Sequence, residues 1–174
     1  VDKLGKYSLN NSYLQKHIKL ILKHKLVDVK AIQKAKFKIA VDAVNSTGGI
    51  VVPQLLKALG VKKVVELYCE PNGKFPHNPE PLPEHLKVIS RTVKKEKCDL
   101  GIVVDPDVDR LALIQEDGKP FGEEYTLVAV ADYILQKRRG NTVSNLSSTR
   151  ALRDITEKAG GQYYAAAVGE VNVV

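Results

Sequence analysis

Leu100-Gly101-Ile102-Val103-Val104-Asp105-Pro106-Asp107-Val108-Asp109-Arg110 decides the fold of this 174-residue chain. An apolar run that ends in Asp-Pro reads as a strand buried on both faces, the kind that parallel sheets contain. Open α/β sheets place their ligands at the carboxyl ends of such strands, and here three carboxylates at alternate positions leave that end. Charges of one sign so close together repel. The arrangement makes sense if a hard cation shares them, because Mg²⁺ takes oxygen ligands, keeps some water and often completes its shell with a substrate phosphate oxygen. Asp105, Asp107 and Asp109 are therefore the candidate metal ligands, and Arg110 adds a planar, permanently charged fork suited to a phosphate or another anionic group.

Three other readings of the same residues fit them less well. A calcium loop of the EF-hand type accounts for Asp105, Asp107, Asp109 and Glu116, but Arg110 stands where that loop needs Gly. The flank Leu111-Ala112-Leu113-Ile114 is also strand-like, whereas an EF-hand loop lies between helices. An aspartyl-phosphate phosphatase of the haloacid dehalogenase type begins with Asp-x-Asp but expects Thr or Val where Asp109 stands. A plain polar turn between strands rarely needs three alternating acids.

Outward from the loop, helix and strand alternate. Tyr13, Leu14, Ile18, Ile21, Leu22 and Leu26 keep helical spacing and predict an amphipathic first helix. Lys38 to Asp42 is an expected strand; Asn45-Ser46-Thr47 offers helix-cap residues and Gly48-Gly49 a tight turn into a helix through Leu59. The amides of that turn suit either an anion or a purely structural role. Lys63 to Tyr68 predicts a second strand, and the Pro-rich loop 71–83 is expected beside the cleft. Next come a helix over Glu84 to Lys95, the strand 99–104, and a strand Arg110 to Gln115 closed by the turn signal Asp117-Gly118. A domain boundary is placed there, dividing the chain into residues 1–118 and 119–174. The second unit opens with a helix from Glu123 to Arg138, apolar at Leu127, Val130, Ala131, Ile134 and Leu135. A strand 141–146, a helix 149–159 and a strand 162–167 follow. The expected fold class is α/β: layered α/β/α units, each a mixed, mostly parallel sheet with helices on both faces.

Composition narrows the function classes. Hydrophobic residues at 44% and charged residues at 27% are ordinary for a globular protein. Lys and Arg outnumber acids 27 to 20, yet aromatics are 6% and Trp is absent, so the stacking platforms of nucleic-acid binders are poorly supplied. The lysines mostly decorate helices, so no nucleic-acid partner is expected; part of the positive field helps attract an anionic substrate. No apolar stretch approaches the roughly 20 residues that span a bilayer, so no membrane partner is expected and the cytoplasm is the default location. Cys69 and Cys98 belong to no metal array and are expected to be small apolar fillers. His17 and His24 read as helix-surface residues, and His77 alone among the histidines is a functional candidate. The chain starts at Val1 without an initiator Met and stops at Val174 after a strand and turn, which sets the expectation of a piece of a longer protein.

Several of these segments carry a family resemblance. Asp105-Pro106-Asp107-Val108-Asp109-Arg110-Leu111-Ala112 resembles the metal loop of the α-D-phosphohexomutases, which interconvert 1- and 6-phosphosugars. Val41-Asp42-Ala43-Val44-Asn45-Ser46-Thr47-Gly48-Gly49 resembles that family's strand-to-helix turn opening domain 2. Phe75-Pro76-His77-Asn78-Pro79-Glu80-Pro81 resembles its Phe-Pro-x-His/Asn-x-Pro loop, and Val168-Gly169-Glu170-Val171-Asn172-Val173 a valine-glycine turn of domain 3. All stand in the family's order and cover nearly the whole chain. The resemblance implies an isomerase in which a phosphoserine donates its phosphoryl group to the sugar, with Mg²⁺ held by Asp105, Asp107 and Asp109. Arg110, Gly169 and Glu170 are the implied contacts to phosphate or sugar. For Gly169 and Glu170 a tight turn is an equal alternative, and for Arg150 phosphate contact stands beside a surface helix start.

Two departures qualify it. Pro106 occupies a place usually held by Gly, which is tolerable only where φ is negative and no amide donor is needed. The family's Thr/Ala-Ser-His-Asn-Pro nucleophile loop and Gly-Glu-x-Ser-Gly sugar loop do not occur in the sequence. No catalytic nucleophile is therefore expected within these residues, which would be inactive alone and would need the parent's other domains. The resemblance implies a phosphoglucomutase or phosphomannomutase, alternatively a phosphoglucosamine mutase. A silent sugar-phosphate-binding relative and a module with a purely structural metal are the remaining readings.

Overall fold

The structure, a computed structural model, describes residues 5–174. It begins with α1 (Tyr13–Lys23), which buries Ile18 and half-buries Leu14, Ile21 and Leu22. Leu26 lies beyond the helix, because the backbone turns extended at His24 (ψ 131°). A short α2 (Val29–Ala35) follows, which hydrophobic periodicity did not predict. Asp28 starts it by accepting a hydrogen bond from the Ala31 amide at 2.9 Å, and Lys36 ends it in the left-handed region at φ 56°.

Next come β1 (Lys38–Asp42), α3 (Gly48–Leu59), β2 (Lys63–Leu67), α4 (Lys87–Glu96), β3 (Leu100–Val104) and β4 (Leu111–Gln115). The strands form one sheet in the order β2-β1-β3-β4, the first three parallel and β4 antiparallel to β3. Central position explains why the middle of β1 is apolar: Ile39 and Val41 point to one face, Ala40 to the other, and all are buried. Ala40, Val103, Ala112 and Ile114 pack with Leu86, Ile89 and Val93 on the α4 side. Ile39 and Val41 meet Leu56 of α3 and Val61 on the opposite side, with Ile32 of α2 against them. The expected α/β class, with a mostly parallel sheet and helices on both faces, is what the first unit shows. The helix expected from Glu84 starts at Lys87, because Pro83–His85 forms a 3-10 turn first.

The second unit comprises α5 (Glu123–Lys137), β5 (Thr142–Asn145), α6 (Ala151–Lys158) and β6 (Tyr163–Ala166). Its two strands pair in parallel in a separate sheet. The apolar stripe read along α5 is not its buried face. Leu127, Val130 and Ile134 are exposed; Val128 is buried, and Ala131 and Leu135 are half-buried. The reason lies in the neighbours, since α5 packs against β4 and α6, and its other side is left to solvent. Tyr133 ties the units together by donating its hydroxyl to the Leu26 carbonyl at 2.9 Å. Among the described residues no helix is long and apolar enough to cross a membrane.

Candidate functional site

Adjacent parallel strands β1 and β3 send their chains in opposite directions, β1 through α3 to the outer strand β2 and β3 directly back into β4. A crevice opens at such a point, and the carboxyl ends of both strands face it. Asp42 ends β1 and Asp105 follows β3, so the same sequence pattern delivers an acid from each strand to one place.

The six residues 105–110 close the β3–β4 hairpin, whose last pair is Val104 with Leu111. Val108 sits in the left-handed region at φ 66°, costly for a β-branched side chain. Its methyl group lies against α3 where Gly48 leaves space: a Cβ there would stand 3.6 Å from Val108 Cγ2 and 2.5 Å from Val104 Cγ2. With Val108 turned inward, one carboxylate oxygen from each of Asp105, Asp107 and Asp109 can gather within 4.8 Å of the others. The left-handed position of the loop is thus Val108, and Pro106 contributes only its carbonyl. That carbonyl accepts from Ser46 Oγ and, at 3.0 Å, from Thr47 Oγ1. These hydroxyls had been expected to cap α3; neither does, because both are spent on the acidic loop.

The three carboxylates are electrostatically unlike. Asp105 is buried, which raises its pKa, but the Arg110 amide at 3.1 Å and hydrogen bonds with Asp107 and Asp109 outweigh burial and hold it below the usual range. Asp109 is exposed and pushed up, chiefly by repulsion from Asp107 and then by its hydrogen bond to Asp105. Acids driven apart in this way are relieved by a shared cation. Oxygen-only, partly exposed donors with room for water suit a hard divalent ion, so the donor set could bind a metal.

The Pro-rich loop folds back over this end of the sheet, as its position in the sequence led one to expect. Gly73 donates to the Asn45 carbonyl at 3.0 Å, and Asn45 Nδ2 to the Lys74 carbonyl at 3.0 Å. His77 Nε2 lies 3.1 Å from Asp42 Oδ2, and Glu80 pairs with Arg110 Nη1. Glu80 raises the Arg110 pKa, keeping the guanidinium charged. Asn78, Pro79, Glu80, Asp105, Pro106 and Arg110 line an open cleft of about 320 Å³. A larger cavity of about 580 Å³ lies between Leu26 and Tyr133, away from the acidic loop; the smaller cleft is the one that Asp105 and Arg110 line.

Of the residues singled out from sequence, Asp105, Asp107, Asp109 and Arg110 come together here. Gly169 and Glu170 do not line the cleft; they lie after β6, with Gly169 at φ 124° opening the 3-10 turn Glu170–Asn172. Arg150 is the residue before α6, exposed and without a capping bond. Sequence reading missed Asp42 and Glu80. The signal for Asp42 was present, an acid directly after an apolar strand, as at Asp105; nothing local marked Glu80, whose partner is 30 residues away.

Comparison with known proteins gives two matches to one family. Residues 13–118 match the family model "Phosphoglucomutase/phosphomannomutase, alpha/beta/alpha domain II", and residues 122–174 match domain III of the same family. A phosphoglucomutase/phosphomannomutase of Thermococcus kodakarensis is 36% identical over 149 residues, 84% of this chain and 32% of that protein. A protein of Methanopyrus kandleri named "probable phosphoglucosamine mutase" is 32% identical over 174 residues, 99% of this chain and 37% of its own length. The crystal structure of a phosphoglucomutase/phosphomannomutase family protein from Burkholderia thailandensis superposes with a TM-score of 0.78 at 28% identity, covering 92% of this chain and 34% of that one. The chain thus spans about a third of the length of the curated relatives it matches.

Proposed function

The chain belongs to the phosphoglucomutase/phosphomannomutase family, and from that premise we propose that it is the metal-loop portion of a phosphohexomutase interconverting 1- and 6-phosphosugars. Its reach would be a domain of residues 1–118 and the start of a second, 119–174, working with further domains and with a phosphoserine outside these residues, in the cytoplasm. The observation that carries the reading is the convergence of Asp105, Asp107 and Asp109 at the β1–β3 crevice with Arg110 beside them.

Asp105, Asp107 and Asp109 would hold Mg²⁺. When bound, the ion supplies electrostatic stabilisation of charge on the phosphoryl group being transferred. Arg110 binds a phosphate or sugar oxygen through the guanidinium edge that Glu80 leaves free, since one Nη1 bond uses only part of its five-donor fork. Gly169 and Glu170 do not line the cleft, so their proposed part is contact with the sugar away from the acidic loop, the missing Cβ of Gly169 letting the sugar approach the backbone and Glu170 meeting a hydroxyl. Substrate choice between glucose, mannose and glucosamine phosphates is open; the match to the Methanopyrus kandleri protein over 99% of this chain favours keeping glucosamine among them.

The test is an assay of the full-length protein with the 1-phosphates of glucose, mannose and glucosamine, with Mg²⁺ or chelator, beside Asp107→Ala. Expected is metal-dependent conversion of at least one sugar, lost in the variant. No turnover by a folded, serine-phosphorylated protein would replace the mutase with a sugar-phosphate-binding relative.

A further inference from the structure

Asp42 is buried at the end of β1, with its side chain 1% exposed and two hydrogen-bond partners among the described residues. The Val44 amide donates to Oδ1 at 3.1 Å, and His77 Nε2 lies 3.3 Å from Oδ1 and 3.1 Å from Oδ2. A carboxylate taken out of water needs hydrogen bonds to remain charged, and burial already pushes this one up. The other ring nitrogen of His77, Nδ1, is 2.8 Å from the Asn78 carbonyl, which can only accept. Nδ1 therefore carries a proton, and a second proton lies in the contact between Nε2 and Asp42, whichever atom holds it. Both ends of the imidazole are fixed, and its edge meets the Tyr68 ring at a centroid distance of 5.7 Å.

What this pair fixes is the cleft. His77 stands three residues before Glu80, with Asn78 and the stiff Pro79 between them, and Glu80 grips Arg110. The Arg110 amide in turn donates to Asp105. Asp42, His77, Glu80, Arg110 and Asp105 thus form one connected path from the sheet to the acidic loop. We propose that the Asp42–His77 pair positions Arg110: it locks the Pro-rich loop so that Glu80 holds one edge of the guanidinium and presents the other to the substrate phosphate. His77 and Asp42 touch no reacting group and act only through Glu80. The substrate end of this inference rests on the proposed function; the positioning itself does not.

The experiment uses the full-length protein with Arg and His side chains labelled with ¹⁵N. In the wild type, His77 shows a protonated Nδ1 and Arg110 a resolved Nε–H signal. In His77→Gln and in Glu80→Gln the Arg110 signal collapses to that of a freely rotating guanidinium, while backbone amides outside residues 71–82 keep their positions. Should His77→Gln not fold, Asp42→Asn, which keeps the shape and an acceptor for Val44, takes its place with the same expected loss. An unprotonated Nδ1, or an Arg110 signal that survives in the variant, overturns the proposal whether or not the protein turns over sugar. Kinetics supply the second arm: each single variant raises the phosphosugar KM about five- to tenfold with kcat little changed, and the double variant no further, because both act through one contact. Additive losses overturn the pathway. Absence of turnover in the wild type counts against the mutase reading alone, and the spectra still decide the positioning.

Discussion

The two units bury different chemistry. In the first, the core is apolar and two-sided, with Leu86, Ile89, Val93, Val103 and Ile114 on one face of the sheet and Val41 and Leu56 on the other, and its buried acids Asp42 and Asp105 stand only at the strand ends beside the site. In the second, the buried set is Val128, Leu152, Ser144 and Thr156, half of it hydroxylic. Those hydroxyls are satisfied: Thr156 Oγ1 donates to the Leu152 carbonyl at 2.6 Å and lies 2.7 Å from Thr142 Oγ1, and Ser144 Oγ lies 2.9 Å from Tyr163 Oη. Within the residues described, the four-stranded sheet is packed by apolar side chains on both faces, while the buried hydroxyls beside the β5–β6 pair are held by hydrogen bonds. The candidate metal loop grows from the apolar unit, where β1 and β3 are held from both sides.

The largest effect that would sharpen this contrast is a cavity under α4. Ile89 is fully buried, so Ile89→Ala should lower unfolding stability by about 2–5 kcal/mol in urea titration. A loss below about 1 kcal/mol would mean the first core collapses readily and the contrast is false. Thr156→Val in the second unit keeps the shape and removes two hydrogen bonds. The expected cost is about 1–3 kcal/mol, two buried neutral hydrogen bonds at roughly 0.5–1.5 kcal/mol each. A neutral or stabilising result would show that the second interior is apolar in effect despite its hydroxyls.

Legibility in the sequence followed the same line. In the first unit β1 and α3 lie where apolar run, glycine pair and chain spacing put them, because each element is covered on a defined side and periodicity reports that side. In α5 the stripe Leu127, Val130 and Ile134 has helical spacing and yet faces solvent, because periodicity tells which residues share a face and not which face finds a neighbour. The site divides likewise. Three acids on one six-residue loop are visible in one dimension. The hydroxyls that hold Pro106, the carboxylate that holds Arg110 and the pairing of Asp42 with His77 join residues 30 to 60 positions apart, and only the fold brings them together.

Smaller in energy, but specific to the acidic loop, is its response to pH. Asp109 has its pKa raised above 3.8, chiefly by Asp107. A group raised in the folded state contributes stability that is present below its unfolded pKa and is lost as pH rises through the folded one. Metal-free protein therefore carries this repulsion at neutral pH and sheds it on acidification, while a divalent ion offsets it where Asp109 is charged. Asp105, held low, loses its own contribution only as pH falls further. The rise in melting temperature caused by Mg²⁺ should accordingly shrink as pH drops through the raised Asp109 pKa and on below the ordinary Asp value. A rise that is unchanged across that range would remove Asp109 from the ligand set.

The smallest expected effect bears most directly on the second unit. Leu127 is 49% exposed and Ile134 38% exposed, so each already meets water over much of its side chain. Replacing buried apolar surface costs roughly 25 cal/mol per Å², but surface that is wet in the folded state contributes little to that sum. Leu127→Gln and Ile134→Gln in the 174-residue chain should each change stability by less than about 0.5 kcal/mol, and glutamine keeps good helix propensity. The contrast with Ile89→Ala is the measurement: residues of the same class, on helices read by the same periodicity, separated about fourfold or more in effect by whether a neighbour covers them. Losses at Leu127 and Ile134 that approach the Ile89 value would show that this face of α5 is covered in solution, and the two units would then be stabilised alike.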